Sequence, residues 1–205
     1  MARDIESKCK KCRRLNVKLF LKGERCYSDK CSLGKKKPER FVRRRRASQY
    51  GLQLRGKQRV RWEYGIMENQ FRRYYRLAEK SANITGEEFL RLLERRLDNV
   101  AYRLGFGFSR AQARQLVNHG HFLVNGRVVD IASYLLKGGD VIEFSQKSKK
   151  SALVKQILET SREKTVPEWL EIDKRAMKGM VKRFPLKEEL NQEIDLNLIV
   201  EYYSR

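Results

Sequence analysis

Between Gln49 and Val117 the apolar positions of this chain recur at helical spacing, and after Gly120 they gather in short strand-like runs. From Glu68 to Lys80, Phe71, Tyr74, Tyr75 and Ala78 fall at i, i+3, i+4 and i+7, the core stripe of a helix. The preceding stretch, Gln49 to Glu63, interleaves Leu52, Leu54, Val60 and Trp62 with cations and is broken by Gly65 and Ile66. Thr85 and Glu88 form a capping box that opens one long helix. Phe89, Leu93, Leu97, Val100 and Leu104 run along its face, which predicts a packing centre. Ser109 and Gln112 repeat the capping box, with Ala113, Leu116 and Val117 facing inward and Arg110 and Arg114 outward. Gly120 suits a left-handed helix end. His121 to Val124 then reads as a strand, Asn125-Gly126 as a two-residue hairpin turn and Arg127 to Val129 as the return strand. Gly138-Gly139-Asp140 turns the chain into a further strand, Val141 to Phe144. In the last quarter, Leu153, Val154, Ile157 and Leu158 mark a helix face, and Trp169, Leu170 and Ile172 an extended piece. Met177, Met180 and Val181 precede Pro185, and Leu198, Ile199, Val200 and Tyr202 close the chain as an apolar tail.

Charge changes this picture. The chain of 205 residues carries 47 Lys and Arg against 25 Asp and Glu, a formal net charge of +22. A small soluble domain typically has a net charge of about 2–8 in magnitude, so this excess calls for a polyanionic partner. Residues 1–50 hold 18 cations against 5 carboxylates, while residues 151–205 balance at 10 against 10. The binding surface is therefore expected in the first 150 residues. Candidate phosphate ligands are Arg43, Arg44, Arg45 and Arg46 in a linker expected to stay extended or disordered until it meets phosphate, Arg55, Lys57 and Arg59 on the first long segment, and Arg72, Arg73 and Arg76 on the next. No apolar run approaches the roughly 18 residues of a membrane span, and Met1 to Cys12 has no apolar core of a secretory signal. A soluble, intracellular, folded protein is expected.

All four cysteines lie in the basic head: Cys9, Cys12, Cys26 and Cys31. Two close pairs can close a tetrahedron of thiolates around one ion, with zinc expected and an iron–sulfur cluster as the alternative. The head is too short to build its own core, so the metal is read as structural. Two disulfides would need an oxidising compartment, for which nothing argues. A catalytic zinc would need an open coordination position that four protein ligands do not leave.

The run Arg96 to Phe106, the segment Ser109 to Val117, then His119-Gly120-His121 and Val124-Asn125-Gly126, resemble the S-four family of small ribosomal subunit proteins of bacteria and organelles. The cysteine head, Tyr64 to Phe71 and the closing Glu201 to Arg205 extend the resemblance over nearly the whole chain. It implies a protein of the cytoplasmic or organellar ribosome that binds the 5′ domain of 16S rRNA early and nucleates subunit assembly. It also implies ribosomal protein S-five as a neighbour, contact with mRNA at the entrance of its channel, a role in translational accuracy, and no membrane or small-molecule substrate. Carried over, Ser109, Arg110, Gln112, Ala113, Arg114, Gln115, His119, Gly120 and His121 occupy the RNA-facing helix and turn. Cys9, Cys12, Cys26 and Cys31 match the zinc-carrying branch. The chain departs from many relatives in its Lys/Arg-rich segment after Cys31, where they have a Pro-Gly loop containing a His, and at Ala132 and Gly138, where prolines are common.

The expected fold class is α+β in two lobes. One is mainly helical with the four-cysteine metal site at its N-terminus; the other is a small inserted α+β RNA-binding module with a twisted, mostly antiparallel sheet. The expected divisions are 1–46 (metal-binding head and linker), 47–94 (helical domain), 95–157 (RNA-binding module) and 158–205 (a segment packing back on the earlier lobes). Two rival classes are weaker. An RNA-modifying enzyme would need a catalytic domain to receive Asp98, and the only histidines, His119 and His121, have no evident carboxylate partner. A zinc-dependent DNA-binding regulator would need a recognition helix after the head. The reading is binding without catalysis.

Overall fold

The computed structural model describes residues 6–34, 48–160, 165–173, 175–191 and 193–204. Arg43, Arg44, Arg45 and Arg46 lie outside the described residues. The chain divides into two compact units, residues 1–89 with 191–205, and residues 90–190.

The first unit contains α1 (Lys8–Leu15), a single 3-10 turn at Gly23–Cys26, α2 (Gln49–Glu63), α3 (Glu68–Glu79), the start of α4 (Thr85–Glu94) and α9 (Leu196–Tyr203). The α3 stripe behaves as its spacing demands: Phe71, Tyr74, Tyr75 and Ala78 are buried, whereas Arg72, Arg73 and Arg76 are exposed. Phe71 meets Phe89 edge-on at 4.9 Å, and Tyr75 lies 4.7 Å from Tyr203. The apolar tail is thus helix α9, packed on α2 and on the aromatic face of α3. Helix α1 packs against α2, where the buried Lys11 places its ammonium 5.7 Å from the Trp62 ring centroid. Burial, then the charges of Arg61 and Arg14, push the Lys11 ammonium down to about 8.

The second unit holds the rest of α4, α5 (Leu97–Arg103), α6 (Arg110–Asn118), α7 (Gln146–Lys149), α8 (Ala152–Thr160) and strands β1 (Phe122–Val124), β2 (Arg127–Val128), β3 (Val141–Phe144), β4 (Leu170–Asp173) and β5 (Lys178–Val181). The strands form one sheet in the order β2-β1-β3-β5-β4, each neighbour antiparallel. Asn125 and Gly126 both have positive φ, 50° and 79°, as the predicted tight hairpin turn requires. Leu97, Leu104, Phe106, Phe122, Phe144 and Trp169 belong to one buried cluster against that sheet. Gly179 on β5 makes room for Leu104: a Cβ there would stand 2.5 Å from Leu104 Cδ1, so that side chain would have to shift.

One helix expected to run from Thr85 through Leu104 is two. Arg96 adopts an extended conformation (ψ 138°) and separates α4 from α5. The cause is distant in sequence. The Leu97 and Asp98 N–H groups donate to the carbonyls of Tyr134 and Ala132, at 2.9 and 3.2 Å, and the Leu136 N–H donates to the Arg95 carbonyl. Those bonds replace the intrahelical ones at the break. The capping expectations need adjustment too. Thr85 is the first helical residue, and Glu88 accepts from the Asn83 side chain. Ser109 does cap α6, accepting from the Gln112 N–H, but Gln112 Oε1 accepts from the Phe108 N–H rather than from Ser109.

Candidate nucleic-acid interface

Helix α3 presents Asn69, Arg72, Arg73, Arg76, Leu77 and Lys80 along one surface cleft. These positions are i, i+3, i+4, i+7, i+8 and i+11, so one face of a regular helix gathers four cations. The opposite face is the buried aromatic stripe, which fixes the helix and therefore the direction in which the cations point. Such a groove can track a phosphate backbone. Asn69 and Leu77 extend the face that Arg72, Arg73, Arg76 and Lys80 already mark in the sequence; the 3.6-residue period itself was the available signal.

The cations of α2 divide differently. Arg55 is exposed. Lys57 is only 4% exposed, and its ammonium donates to Glu68 Oε1 at 2.9 Å while lying 4.6 Å from the Tyr202 ring centroid. Arg59 is paired with Glu193, donating to its carboxylate at 2.5 Å and to its carbonyl at 2.9 Å. The expectation that Lys57 faces solvent as a phosphate ligand is therefore corrected: an acidic partner on α3 draws it inward.

In the second unit the expected residues surround the start of α6. Arg110 donates from Nε to Asn99 Oδ1 at 2.9 Å, and its guanidinium stands 4.8 Å from the Tyr102 ring centroid. Arg114 is 14% exposed with Nη1 3.7 Å from the buried Asp98 carboxylate. The outward face expected for the pair is corrected accordingly. Both arginines are held against α5, because Asn99 and Asp98 lie beneath them. Gln115 and His119 are exposed, Gln112 and Gly120 are half-buried, Ser109 caps the helix and Ala113 is in the core. His121 is half-buried with Nδ1 2.8 Å from Ser148 Oγ. Burial and then the neighbouring His119 hold its imidazole below the ordinary value. Asn99 and Tyr102 were not legible as site residues, since their part is to fix Arg110.

The cysteines share the head. Cys9 and Cys12 lie one turn apart on α1, Cys26 ends the 3-10 turn and Cys31 follows it. Cys12 lies within electrostatic reach of the other three thiols. The Cys26 sulfur accepts from the Lys22 N–H at 3.3 Å, and the Leu19 and Leu33 N–H groups lie near the Cys12 and Cys31 sulfurs. Burial first, and the other cysteines after it, push the Cys12 thiol up against the Leu19 bond. The Leu33 N–H leads in holding Cys31 down. The expectation of a gathered four-thiolate cluster is not met: among the described residues no three or more His, Cys, Asp or Glu side chains form a metal-binding group. An N–H donor of the kind that Lys22 offers Cys26 also suits a thiolate held by a metal.

Residues 3–94 match the family described as ribosomal protein S4/S9 N-terminal domain, and residues 95–142 match the S4 domain. The small ribosomal subunit protein uS4A of Alkaliphilus oremlandii is 53% identical over 208 residues, covering 100% of both chains. The chain belongs to the uS4 family of ribosomal proteins. Other members similar to it are the small ribosomal subunit proteins uS4 of Geotalea uraniireducens and Natranaerobius thermophilus, each 51% identical with both chains fully covered. Among the described residues no helix is long and apolar enough to cross a membrane.

Lys57 joins a small polar cluster with a pH signature. Tyr203 donates to Glu68 Oε1 at 2.8 Å, beside Lys57, and Arg61 Nη1 lies 3.6 Å from Oε2. Burial raises the Glu68 carboxyl, but the bonds from Lys57 and Tyr203, with the charges of Lys57 and Arg61, outweigh it and hold the carboxyl below its ordinary value. Burial and the bond to Glu68 push the Tyr203 phenol far up. A depressed carboxyl stabilises the fold above its unfolded value of about 4.3, and that contribution is lost as pH falls through the folded value. Thermal melts of the wild type and Glu68→Gln should therefore differ at pH 7 and converge in acid below the ordinary carboxylate range. A gap that widened on acidification would contradict this cluster.

Proposed function

We propose that this chain is a structural, non-enzymatic constituent of the small ribosomal subunit that binds 16S rRNA by phosphate neutralisation and recognition of RNA shape. The observation that carries the reading is the full-length identity to proteins named small ribosomal subunit protein uS4, spanning both the N-terminal and the S4 domain. The net charge of +22 and the cationic cleft on α3 supply the physical means. The contact set is Arg55, Arg72, Arg73 and Arg76 on the first unit, Arg110, Gln115, His119 and their neighbours around α6, and the arginines 43–46 between Cys31 and α2. Within the ribosome the finer reading is early binding to the 5′ domain, with protein S-five and the entrance of the mRNA channel nearby. The functional divisions are 1–46, 47–94, 95–157 and 158–205.

Cys9, Cys12, Cys26 and Cys31 are proposed to hold one zinc ion. Their spacing and the Lys22 N–H donor to Cys26 support it, and a bound zinc supplies a tetrahedral cross-link for a segment without its own core.

Chemical footprinting of the full chain on a 16S 5′-domain transcript tests the first reading, against an unrelated structured RNA of equal length at the same salt. A confined protection pattern and a clear preference for the transcript are expected; equal affinity for both RNAs would overturn it. Elemental analysis of the same sample is expected to find about one zinc per chain, lost in Cys9→Ser together with amide protection in the head. A metal-free wild type would end the zinc proposal.

A further inference from the structure

The head carries a stacked aromatic pair at its surface. Leu19 is buried at 3% exposure, yet the next residue turns outward: Phe20 adopts a positive φ of 49°, a backbone conformation rare for a bulky side chain. Its ring stacks on that of Tyr27 at 4.9 Å between centroids and 29° between planes. Phe20 is 38% exposed and Tyr27 73%, so the pair stands at the surface. A bulky aromatic residue held at the surface by a positive φ is the kind of outlier that marks a binding position. In the same segment Lys18, Lys22, Arg25 and Lys30 are all exposed, against Glu24 and Asp29, leaving residues 18–30 cationic.

We infer that the Phe20–Tyr27 pair is a stacking platform for an unpaired nucleobase of RNA, with the surrounding cations meeting the phosphates on either side. The chemistry fits one occupant. Every base has a π-face that stacks on an aromatic ring, and a single strand delivers that face together with negative charge. A folded RNA helix shows no open base face, so the platform takes a loop, bulge or end. The cationic surroundings favour a polyanion over an apolar protein segment. The inference deepens the rRNA-binding reading by naming a base-stacking site distinct from the phosphate cleft on α3 and from the α6 surface.

The test uses the full chain and a 12-nucleotide single-stranded RNA carrying one 2-aminopurine, whose fluorescence is quenched on stacking. The wild type should quench it. Tyr27→Leu should lose most of the quenching and bind about 5- to 100-fold more weakly at matched salt, and Tyr27→Trp should restore both. Because Tyr27 is exposed, Tyr27→Leu should melt as the wild type does, which separates loss of stacking from loss of fold. Quenching and affinity unchanged in Tyr27→Leu would overturn the inference and assign the pair to a protein contact instead. Preference of the wild type for the 16S transcript is read separately, so failure of the ribosomal reading and failure of the platform give different results.

Discussion

Asp98→Ala should cost the second unit about 3–5 kcal/mol in urea denaturation, more than any single surface cation could. Arg96 is fully buried and donates through Nε and Nη2 to the two Asp98 oxygens, at 3.0 and 2.6 Å. Removing the carboxylate leaves a guanidinium in the interior without its bidentate partner, and the desolvation it suffered on folding is no longer offset. Arg114 loses the same carboxylate, 3.7 Å away. Asp98 also sits in the first turn of α5, where a negative charge favours the helix. The companion variant decides whether charge burial is the cause. Replacing both members by apolar residues, Arg96→Met with Asp98→Leu, should cost less than Asp98→Ala alone, because the fully buried guanidinium is then gone with its partner. A single-variant cost under about 1 kcal/mol, or a double variant worse than the single, would show that burial of this charge pair does not set the cost.

That break shows where the sequence was readable and where it was not. The stripe of Phe71, Tyr74, Tyr75 and Ala78 was legible because burial on α3 depends only on local period. The tight turn at Asn125-Gly126 was legible for a similar reason: two positive φ values select those residue types. Leu93, Leu97, Val100 and Leu104 also keep a helical period, yet the chain leaves the helix at Arg96. Its N–H groups find carbonyls in the segment 132–134, and no local pattern announces a partner that far along the chain. The same holds for β4 and β5. Leu170 and Ile172 read as extended, but they join the sheet only through β5, whose own place beside β3 rests on the long-range register Val141 to Met180.

Charge has the same limit. A count of cations locates a binding surface but cannot see pairing. Lys57 and Arg59 counted toward that surface until Glu68 and Glu193 were placed beside them. Conversely, Arg110 gained meaning from Asn99 and Tyr102, which carry no charge and offered no signal. An arginine held in this way loses less side-chain freedom on meeting a phosphate than one free to sample its rotamers.

The distinction between paired and solvent-facing cations leads to the largest expected effect on RNA binding. The triple variant Arg72→Ala, Arg73→Ala and Arg76→Ala should flatten the dependence of log affinity on log salt by about 2–3 for the 16S 5′-domain transcript. Each phosphate contact contributes a slope of about 0.9 through counterion release, and three of the proposed contact residues line this one helix face. A slope change of that size alters the ratio of wild-type to variant affinity by about 40-fold between 50 and 200 mM salt. The fold should not suffer. The three side chains are exposed, alanine is a good helix former, and the packing of α3 rests on its aromatic face. Lys57→Ala makes the opposite prediction: its ammonium is already neutralised by Glu68, so the melt should fall while the salt slope stays as in the wild type. Matching slopes for the triple variant and the wild type would remove α3 from the interface. A changed slope in Lys57→Ala would mean that the Lys57–Glu68 pair opens when RNA binds.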